Sequence, residues 1–180
     1  YVTLRDLVDS VGKDVVRFIM LTRKNDAPLD FDLKKVLEQS HDNPIFYVQY
    51  AHARIYSVIK NFKQTFPIEV TSEEALNSAP LNMLDNPSEI RLIRFLANWP
   101  RVLEGAAINH EPHRLAFYLQ ELASEFHSLW NNGKEDLSLK FLRDDNFKIT
   151  QARIILIAGT ASIIASGLTL LGIKPAEELR

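Results

Sequence analysis

The sequence has no cysteine among its 180 residues, which excludes both a disulfide framework and a thiolate metal centre. It also has no glycine-rich phosphate loop, no His-x-x-x-His pair and no Gly-x-Ser-x-Gly turn, patterns that mark common catalytic and nucleotide sites. His110 and His113 are three residues apart but have no third ligand beside them, so we expect no metal site there. The residues alone therefore indicate no catalytic group and no cofactor bound by this chain.

The chain has little excess charge of either sign. Its 21 lysine and arginine residues and 23 acidic residues give a formal charge of −2. Indiscriminate binding to nucleic acid usually needs a strongly basic domain, whereas a selective RNA binder needs positive charge on one face only. With 46% hydrophobic residues the composition is that of a globular protein, and residues 1–180 are expected to form a single domain.

No secretory signal begins the sequence, which together with the lack of cysteine fits a cytoplasmic protein. The first residue is Tyr1 rather than methionine, which suggests a fragment, although processing explains it equally well. Residues 154–173 carry no charge and are long enough to cross a bilayer. Four hydroxyl side chains interrupt this run and no basic cluster flanks it. We therefore expect a buried core helix and no membrane association.

Every long periodic segment is typical of a helix, and an all-α helical bundle is predicted. Most of the predicted helices begin at a capping residue or a proline, which suit the first turn. The predicted helices are 3–12, 14–21, 32–37, 44–63, a short one within 65–86, one from 87 that breaks at Trp99-Pro100 and continues to 107, 112–133 ended by Gly133, and 150–172 capped by Thr150 and ended by Gly172.

The predicted helix 44–63 has two chemically different faces. Apolar side chains repeat along one face at the three- and four-residue spacing of a core-facing stripe. A second stripe lies two residues out of phase, which is roughly 200° around the helix, and it is aromatic and cationic. The first stripe is Ile45, Val48, His52, Ile55, Ile59 and Phe62, and the second is Tyr47, Tyr50, Arg54, Ser57 and Asn61.

Further aromatic and basic residues follow later in the chain, among them Phe117, Tyr118, His127 and Trp130. Unpaired RNA bases stack on such rings, while arginine and lysine hold the phosphates. The same rings are equally accounted for if they fill the core. At this point an RNA-binding domain and a helical protein-interaction module without RNA binding both remain open.

Several segments taken together resemble one family. The segment 1–9, the tetrapeptide Asp14-Val15-Val16-Arg17, residues 24–32, the pair Asn43-Pro44 and the end of the chain at 171–179 occur in the order typical of arginyl-tRNA synthetases. There they form the so-called DALR anticodon-binding domain. The combination of QYAHAR at 49–54 with EPHRLAFYL at 111–119 is more specific than either motif alone. The resemblance spans the whole chain and is weakest between Phe66 and Leu84.

The resemblance implies an all-α bundle of the class I aminoacyl-tRNA synthetase anticodon-binding type. It implies that residues 1–20 adjoin an upstream catalytic domain that this chain lacks, so the fragment alone is expected to be inactive. The full-length enzyme would join arginine to its tRNA using ATP with Mg²⁺. The partners implied are arginine tRNA and the catalytic domain of the same chain, in a cytoplasmic monomer.

The resemblance also implies which residues meet the tRNA. Tyr50 would stack on the anticodon loop and Arg54 would act through its charge, while Phe126 and Trp130 would add aromatic surface. His113 and Arg114 would contact phosphates at a helix N-terminus, although the helix dipole alone also accounts for an anion at that location. Leu179 stands where the family often ends in methionine, and Phe126 where some relatives have tyrosine.

The helix face on which each of these residues lies indicates whether it contacts RNA or belongs to the core. Tyr50 and Arg54 share the face opposite the core stripe, which favours a surface role. Phe126 falls in the apolar stripe of its own helix, which favours the core. The position of Trp130, next to Leu129 and near the helix end, favours neither.

Overall fold

A computed structural model describes residues 3–24, 43–66 and 72–179, and within them the chain is helical with no strand. The predicted all-α class is confirmed. The helices are α1 (Leu4–Val11), α2 (Lys13–Leu21), α3 (Pro44–Thr65), α4 (Glu73–Ser78), α5 (Pro87–Ala97), α6 (Trp99–Ile108), α7 (His113–Glu135) and α8 (Phe147–Leu170), with short 3-10 turns at Leu81–Met83 and Leu137–Leu139.

Local capping explains where several helices begin. The Asn43 side chain accepts a hydrogen bond from the Phe46 amide, and Pro44 occupies the first turn of α3, where no amide hydrogen is needed. Asn86 and Glu89 form a reciprocal capping box at the start of α5. Both starts were predicted from the sequence, as was the break at Trp99.

Three long helices, α3, α7 and α8, form the centre of the bundle, and α5, α6 and α2 pack around α7 and α3. α8 contacts α3, α5 and α7 and is buried around most of its circumference. It packs tightly on α7 at Gly167, where a Cβ atom would lie 2.7 Å from the Leu119 side chain. Glycine is therefore needed there for the two helices to pack at this distance.

α8 is long and apolar enough to cross a membrane by length and composition. A helix that is apolar on all sides is also what the centre of a soluble bundle requires. Ile154, Ile157, Ile164 and Leu168 are fully buried against the neighbouring helices. The expectation that this run is a core helix agrees with that packing.

Two predicted helix boundaries were wrong. α8 begins at Phe147 with Asn146 as its cap, because the Asn146 side chain accepts from the Ile149 amide. The Thr150 hydroxyl, predicted to cap this helix, instead bonds the backbone N–H and C=O of Arg143. α7 does not end at Gly133 but runs on to Glu135, with the Leu139 carbonyl packed against Gly133. The predicted helix 32–37 lies outside the described residues.

A buried ion pair joins α8 to the start of α5. The Arg153 Nε atom donates to Glu89 Oε1 at 2.6 Å, with side-chain exposures of 5% and 1%. Arg153 also donates to the carbonyls of Ser138 and Lys140, which lie in the connection between α7 and α8. One buried cation therefore satisfies a carboxylate and two loop carbonyls, and it ties this connection to the core.

Replacing Glu89 with glutamine should destabilise the fold by about 3 kcal/mol. The two carboxylate oxygens of Glu89 accept from Arg153 and from the Asn86 amide. Glutamine keeps the volume but has only one acceptor, so one buried donor loses its partner. Urea unfolding measures the change. The control is Arg91→Ala, which breaks the exposed pair with Glu125 and should cost less than about 1 kcal/mol. Equal effects of the two substitutions would contradict this assignment.

Candidate functional site

The C-terminal segment 173–179 returns to α3 and, with α3 and α7, encloses an open groove of about 700 Å³. The lining is contributed by one side of α3, by the end of α7 and by the last residues of the chain. The lining residues are Tyr50, Ala53, Arg54, Tyr56, Ser57, Val58, Lys60, Asn61, Trp130, Glu177, Glu178 and Leu179. Four of the seven predicted contact residues, Tyr50, Arg54, Trp130 and Leu179, therefore lie in one groove.

Arg54 contacts two of the aromatic rings that line this groove. Tyr50 and Arg54 are one turn apart on α3, so their side chains share a face. The guanidinium lies 4.1 Å from the Tyr50 ring centroid and 4.6 Å from that of Trp130 on α7. It also donates a hydrogen bond to the Tyr50 hydroxyl. A charged plane held between two aromatic rings is a cation–π arrangement, which fixes the direction of a long, flexible side chain.

His127 supports Arg54 from α7. Its Nδ1 atom lies 3.3 Å from Arg54 Nη1 and its Nε2 atom 3.5 Å from the Tyr47 carbonyl oxygen. Because arginine only donates, Nδ1 must be the acceptor, and Nε2 then carries the hydrogen that points to the Tyr47 carbonyl. The His127 ring also contacts the rings of Tyr47 and Tyr50, with centroids 4.5 and 5.5 Å away. A neutral imidazole with this tautomer satisfies every neighbour.

The electrostatics agree with a neutral His127. Burial lowers the pKa of His127 to about 4; the bond to the Tyr47 carbonyl partly opposes this shift, and the nearby Arg54 charge adds to it. The imidazole is therefore uncharged at neutral pH, and its lone pair stays available to Arg54. His127 is one of the aromatic and basic residues named from the sequence, but no sequence pattern assigns it to this site. Its role depends on the packing of α7 on α3.

The C-terminal segment supplies both apolar and acidic groups. Leu179 is 39% exposed and lines the groove beside Arg54 and Trp130. Glu178 lies 3.6 Å from Lys60, and both side chains are mostly exposed, so this pair adds little stability. Glu177 lines the same wall. The groove therefore combines two cations, two carboxylates and three aromatic rings, which suits a flat, polar ligand better than a purely apolar one.

Phe126 does not belong to this surface. It is 0% exposed and packs against the rings of Phe141 and Trp130. A ring with no accessible surface cannot stack on a ligand. Phe126 is therefore not a contact residue, and it packs against Trp130 inside the fold. Trp130 itself is partly exposed, and within the described part of the chain its buried indole N–H has no acceptor.

His113 and Arg114 lie elsewhere, at the start of α7. They are 17 and 16 residues before Trp130, which is roughly 25 Å along the helix. There they line a second open groove of about 480 Å³ together with Lys24, Arg101 and the exposed Phe117. His113 is mostly buried, and Arg114 is exposed and paired with Glu111. The predicted contact set is therefore divided between two surfaces. Among the described residues, no group of three or more His, Asp or Glu side chains is placed to hold a metal ion.

The pKa of His127 predicts how the stability depends on pH. Its folded-state pKa lies below the ordinary 6.5, so the unfolded chain takes up the proton first as the pH falls. The stabilisation from neutral His127 is complete above pH 6.5 and is lost progressively toward pH 4. Between pH 7 and 4.5 the free energy of unfolding should therefore fall by about 1–2 kcal/mol more in the wild type than in His127→Gln. Urea unfolding at both pH values measures this, and an equal fall in both proteins would contradict it.

The chain is similar to known proteins over its full length. Residues 48–179 match the model of the DALR anticodon binding domain. The chain is 56% identical to the arginine–tRNA ligase of Parvibaculum lavamentivorans and 54% identical to that of Ruegeria pomeroyi, and in each case it is covered completely but spans 31% of the relative.

Solved structures agree with this match. A Campylobacter jejuni protein assigned as an arginyl-tRNA synthetase superposes with a TM-score of 0.80 at 26% identity, covering 97% of this chain and 35% of that protein. Thermus thermophilus arginyl-tRNA synthetase gives 0.69 at 25% identity, covering 94% and 27%. The family resemblance stated from the sequence is thereby confirmed, and this chain belongs to the DALR anticodon-binding domain family.

Proposed function

We propose that this domain binds the anticodon stem-loop of arginine tRNA as part of an arginine–tRNA ligase. The observation that carries the proposal is the Arg54 guanidinium held between Tyr50 and Trp130 in an open groove. Planar guanidinium groups and aromatic rings are the surfaces on which unpaired RNA bases stack. The family match and the curated relatives, all arginine–tRNA ligases, support the same assignment.

Each residue of the groove has a distinct part in this binding. Tyr50, 37% exposed, offers a ring for stacking, and Trp130 extends the same platform. Arg54 donates to His127 and Tyr50, and its remaining N–H groups are available to a phosphate or to a base edge. Leu179 would add an apolar contact at one wall of the groove. The groove thereby combines stacking with charge, as recognition of a single-stranded loop requires.

The whole ligase would attach arginine to its tRNA with ATP and Mg²⁺ on an upstream domain, as a cytoplasmic monomer. The length of the relatives supports the presence of an upstream domain, because the chain spans only 31% of the relative from Parvibaculum lavamentivorans. The N-terminal helices also support it. Leu4 and Met20 are large apolar residues that α1 and α2 expose, which fits residues 1–20 as the junction with a catalytic domain.

The second groove would hold phosphates of the same RNA. Arg114, Arg101 and Lys24 are cationic, and the start of α7 presents the positive end of its helix dipole. The pairing of Arg114 with Glu111 reduces the net field there. These contacts would position the stem and carry no base preference, whereas the first groove would read the loop.

A helical protein-interaction module without RNA binding is the competing function. It predicts a partner bound mainly through apolar area and no preference between RNA loops, whereas contacts to phosphates release counterions and make RNA binding fall steeply with salt. The mixture of cations and exposed rings in the first groove favours RNA.

Removing the Tyr50 ring should weaken binding of an arginine-tRNA anticodon stem-loop by about tenfold or more, the contribution of one stacked base. The preference for that loop over one with its central cytosine replaced by uracil should fall as well. Fluorescence titrations of wild type and Tyr50→Ala with both loops measure this. Equal binding of both loops, unchanged in Tyr50→Ala, would contradict the assignment of this groove.

Arg54→Ala should lower the salt dependence of the same titration by about one unit of log–log slope, because one phosphate contact is lost. Arg94→Ala is the matched control, since Arg94 is exposed on α5 and lines neither groove. An unchanged slope in Arg54→Ala would contradict the phosphate contact proposed for Arg54.

Arg114→Ala should weaken binding of the two loops by the same factor and lower the salt slope by about one unit. A contact to phosphate is blind to the base, so the preference between loops should not change. The titration of both loops at two salt concentrations tests this, again against Arg94→Ala. A change in the preference, or no effect at all, would remove Arg114 from the RNA surface.

A further inference from the structure

The last residues of the chain reach the groove by a sharp turn after α8. Gly172 has a φ of +72°, and a Cβ atom there would lie 2.7 Å from Arg17 Nε. Arg17 donates to the Leu171 carbonyl, which belongs to the end of α8. The positive φ therefore favours glycine, and a side chain there would also displace the Arg17 guanidinium. The turn sends residues 173–179 back along α3, beginning with the buried Ile173.

Gln49 then holds this segment with two hydrogen bonds. Its Nε2 atom donates to the Lys174 carbonyl at 2.8 Å, and its Oε1 atom accepts from the Ala176 amide at 2.7 Å. The side-chain amide thus pairs with the backbone as a neighbouring strand would. The bonded residues are separated by 125 and 127 positions in sequence.

His52 adds a third bond one turn further along α3. Its Nδ1 atom lies 2.7 Å from the Ala176 carbonyl oxygen. A carbonyl only accepts, so Nδ1 must carry the hydrogen. The ring is 1% exposed and stacks near Tyr56, so water cannot easily replace this bond. Gln49 and His52 together bond residues 174–176 through the backbone atoms of that segment, so these bonds do not depend on its side chains.

We propose that Gln49 and His52 are positioning residues that hold the C-terminal segment as one wall of the groove and thereby determine which base the groove accepts. The inference rests on the proposed function. Neither side chain lines the groove itself, so each acts only through the residues it holds. The next residues along the segment, Glu177, Glu178 and Leu179, do line it. Releasing the segment would leave the platform of Tyr50, Arg54 and Trp130 intact and remove the wall opposite to it.

The first part of the test needs no RNA. Hydrogen exchange of the Ala176 amide in the free chain reports its bond to Gln49. In Gln49→Ala the protection of this amide should fall about tenfold or more, because two hydrogen bonds are lost. In Gln49→Glu the protection should fall less than in Gln49→Ala, because the carboxylate still accepts from the Ala176 amide and only the donor to the Lys174 carbonyl is lost. Gln64→Ala is the matched control, because Gln64 is an exposed glutamine on α3 that lies outside the groove. Equal protection in Gln49→Ala and wild type would overturn the clamp.

The second part measures the ratio of dissociation constants for the cytosine and uracil loops. Gln49→Ala should bring this ratio toward one while leaving the salt slope unchanged, whereas Gln64→Ala should alter neither. In a chain that already carries Leu179→Ala, Gln49→Ala should have a smaller further effect on the ratio, because part of the wall that Gln49 holds has already been removed. A full preference in Gln49→Ala despite lost protection of Ala176 would overturn the positioning role.

The two claims fail separately. If the wild-type chain prefers neither loop, the proposed function fails and the specificity role with it. In that case the exchange measurement still decides whether Gln49 holds the segment. If the wild type prefers the cytosine loop and Gln49→Ala keeps that preference, the proposed function stands and only the positioning inference is wrong.

Discussion

The burial of α8 between α3 and α7 is the constraint on which the rest of the structure depends. An apolar helix must be covered by its neighbours, and α3 and α7, which carry the groove residues, cover α8 together with α5. Gly167 lets α7 approach closely enough for this. The arrangement leaves one side of α3 beside the second half of α7, where Arg54 meets Trp130. It also places the end of the chain against α3, so the packing of the core determines the geometry of the groove.

The groove places the Arg54 cation next to His127. The two groups would repel each other if the imidazole were charged, and burial prevents this by lowering the pKa of His127. The neutral ring then accepts from Arg54 and donates to the Tyr47 carbonyl, so both helices are joined by one side chain. Arg54 is thereby directed before any ligand arrives, which lowers the entropy that binding must overcome.

Local features could be predicted from the sequence, and long-range ones could not. The cap and proline at Asn43 specify the start of α3, and the four-residue spacing puts Tyr50 and Arg54 on one face. The meeting of these residues with Trp130 depends on the packing of whole helices, for which no local pattern exists. Thr150 was misassigned as a cap because Asn146 competes for the same helix start, and the charge of Arg153 inside the core has no local signal either.

The central claim is that the anticodon loop binds beside Trp130. The chain has two tryptophans, Trp99 and Trp130, and Trp99 packs against Tyr118 away from the groove. Their indole N–H signals can therefore be followed separately in a ¹⁵N-labelled chain as the arginine-tRNA stem-loop is added. The account predicts that the Trp130 signal moves, whereas the Trp99 signal reports only on the second groove, because its neighbour Tyr118 lines that groove. Movement of Trp99 with an unchanged Trp130 would contradict it.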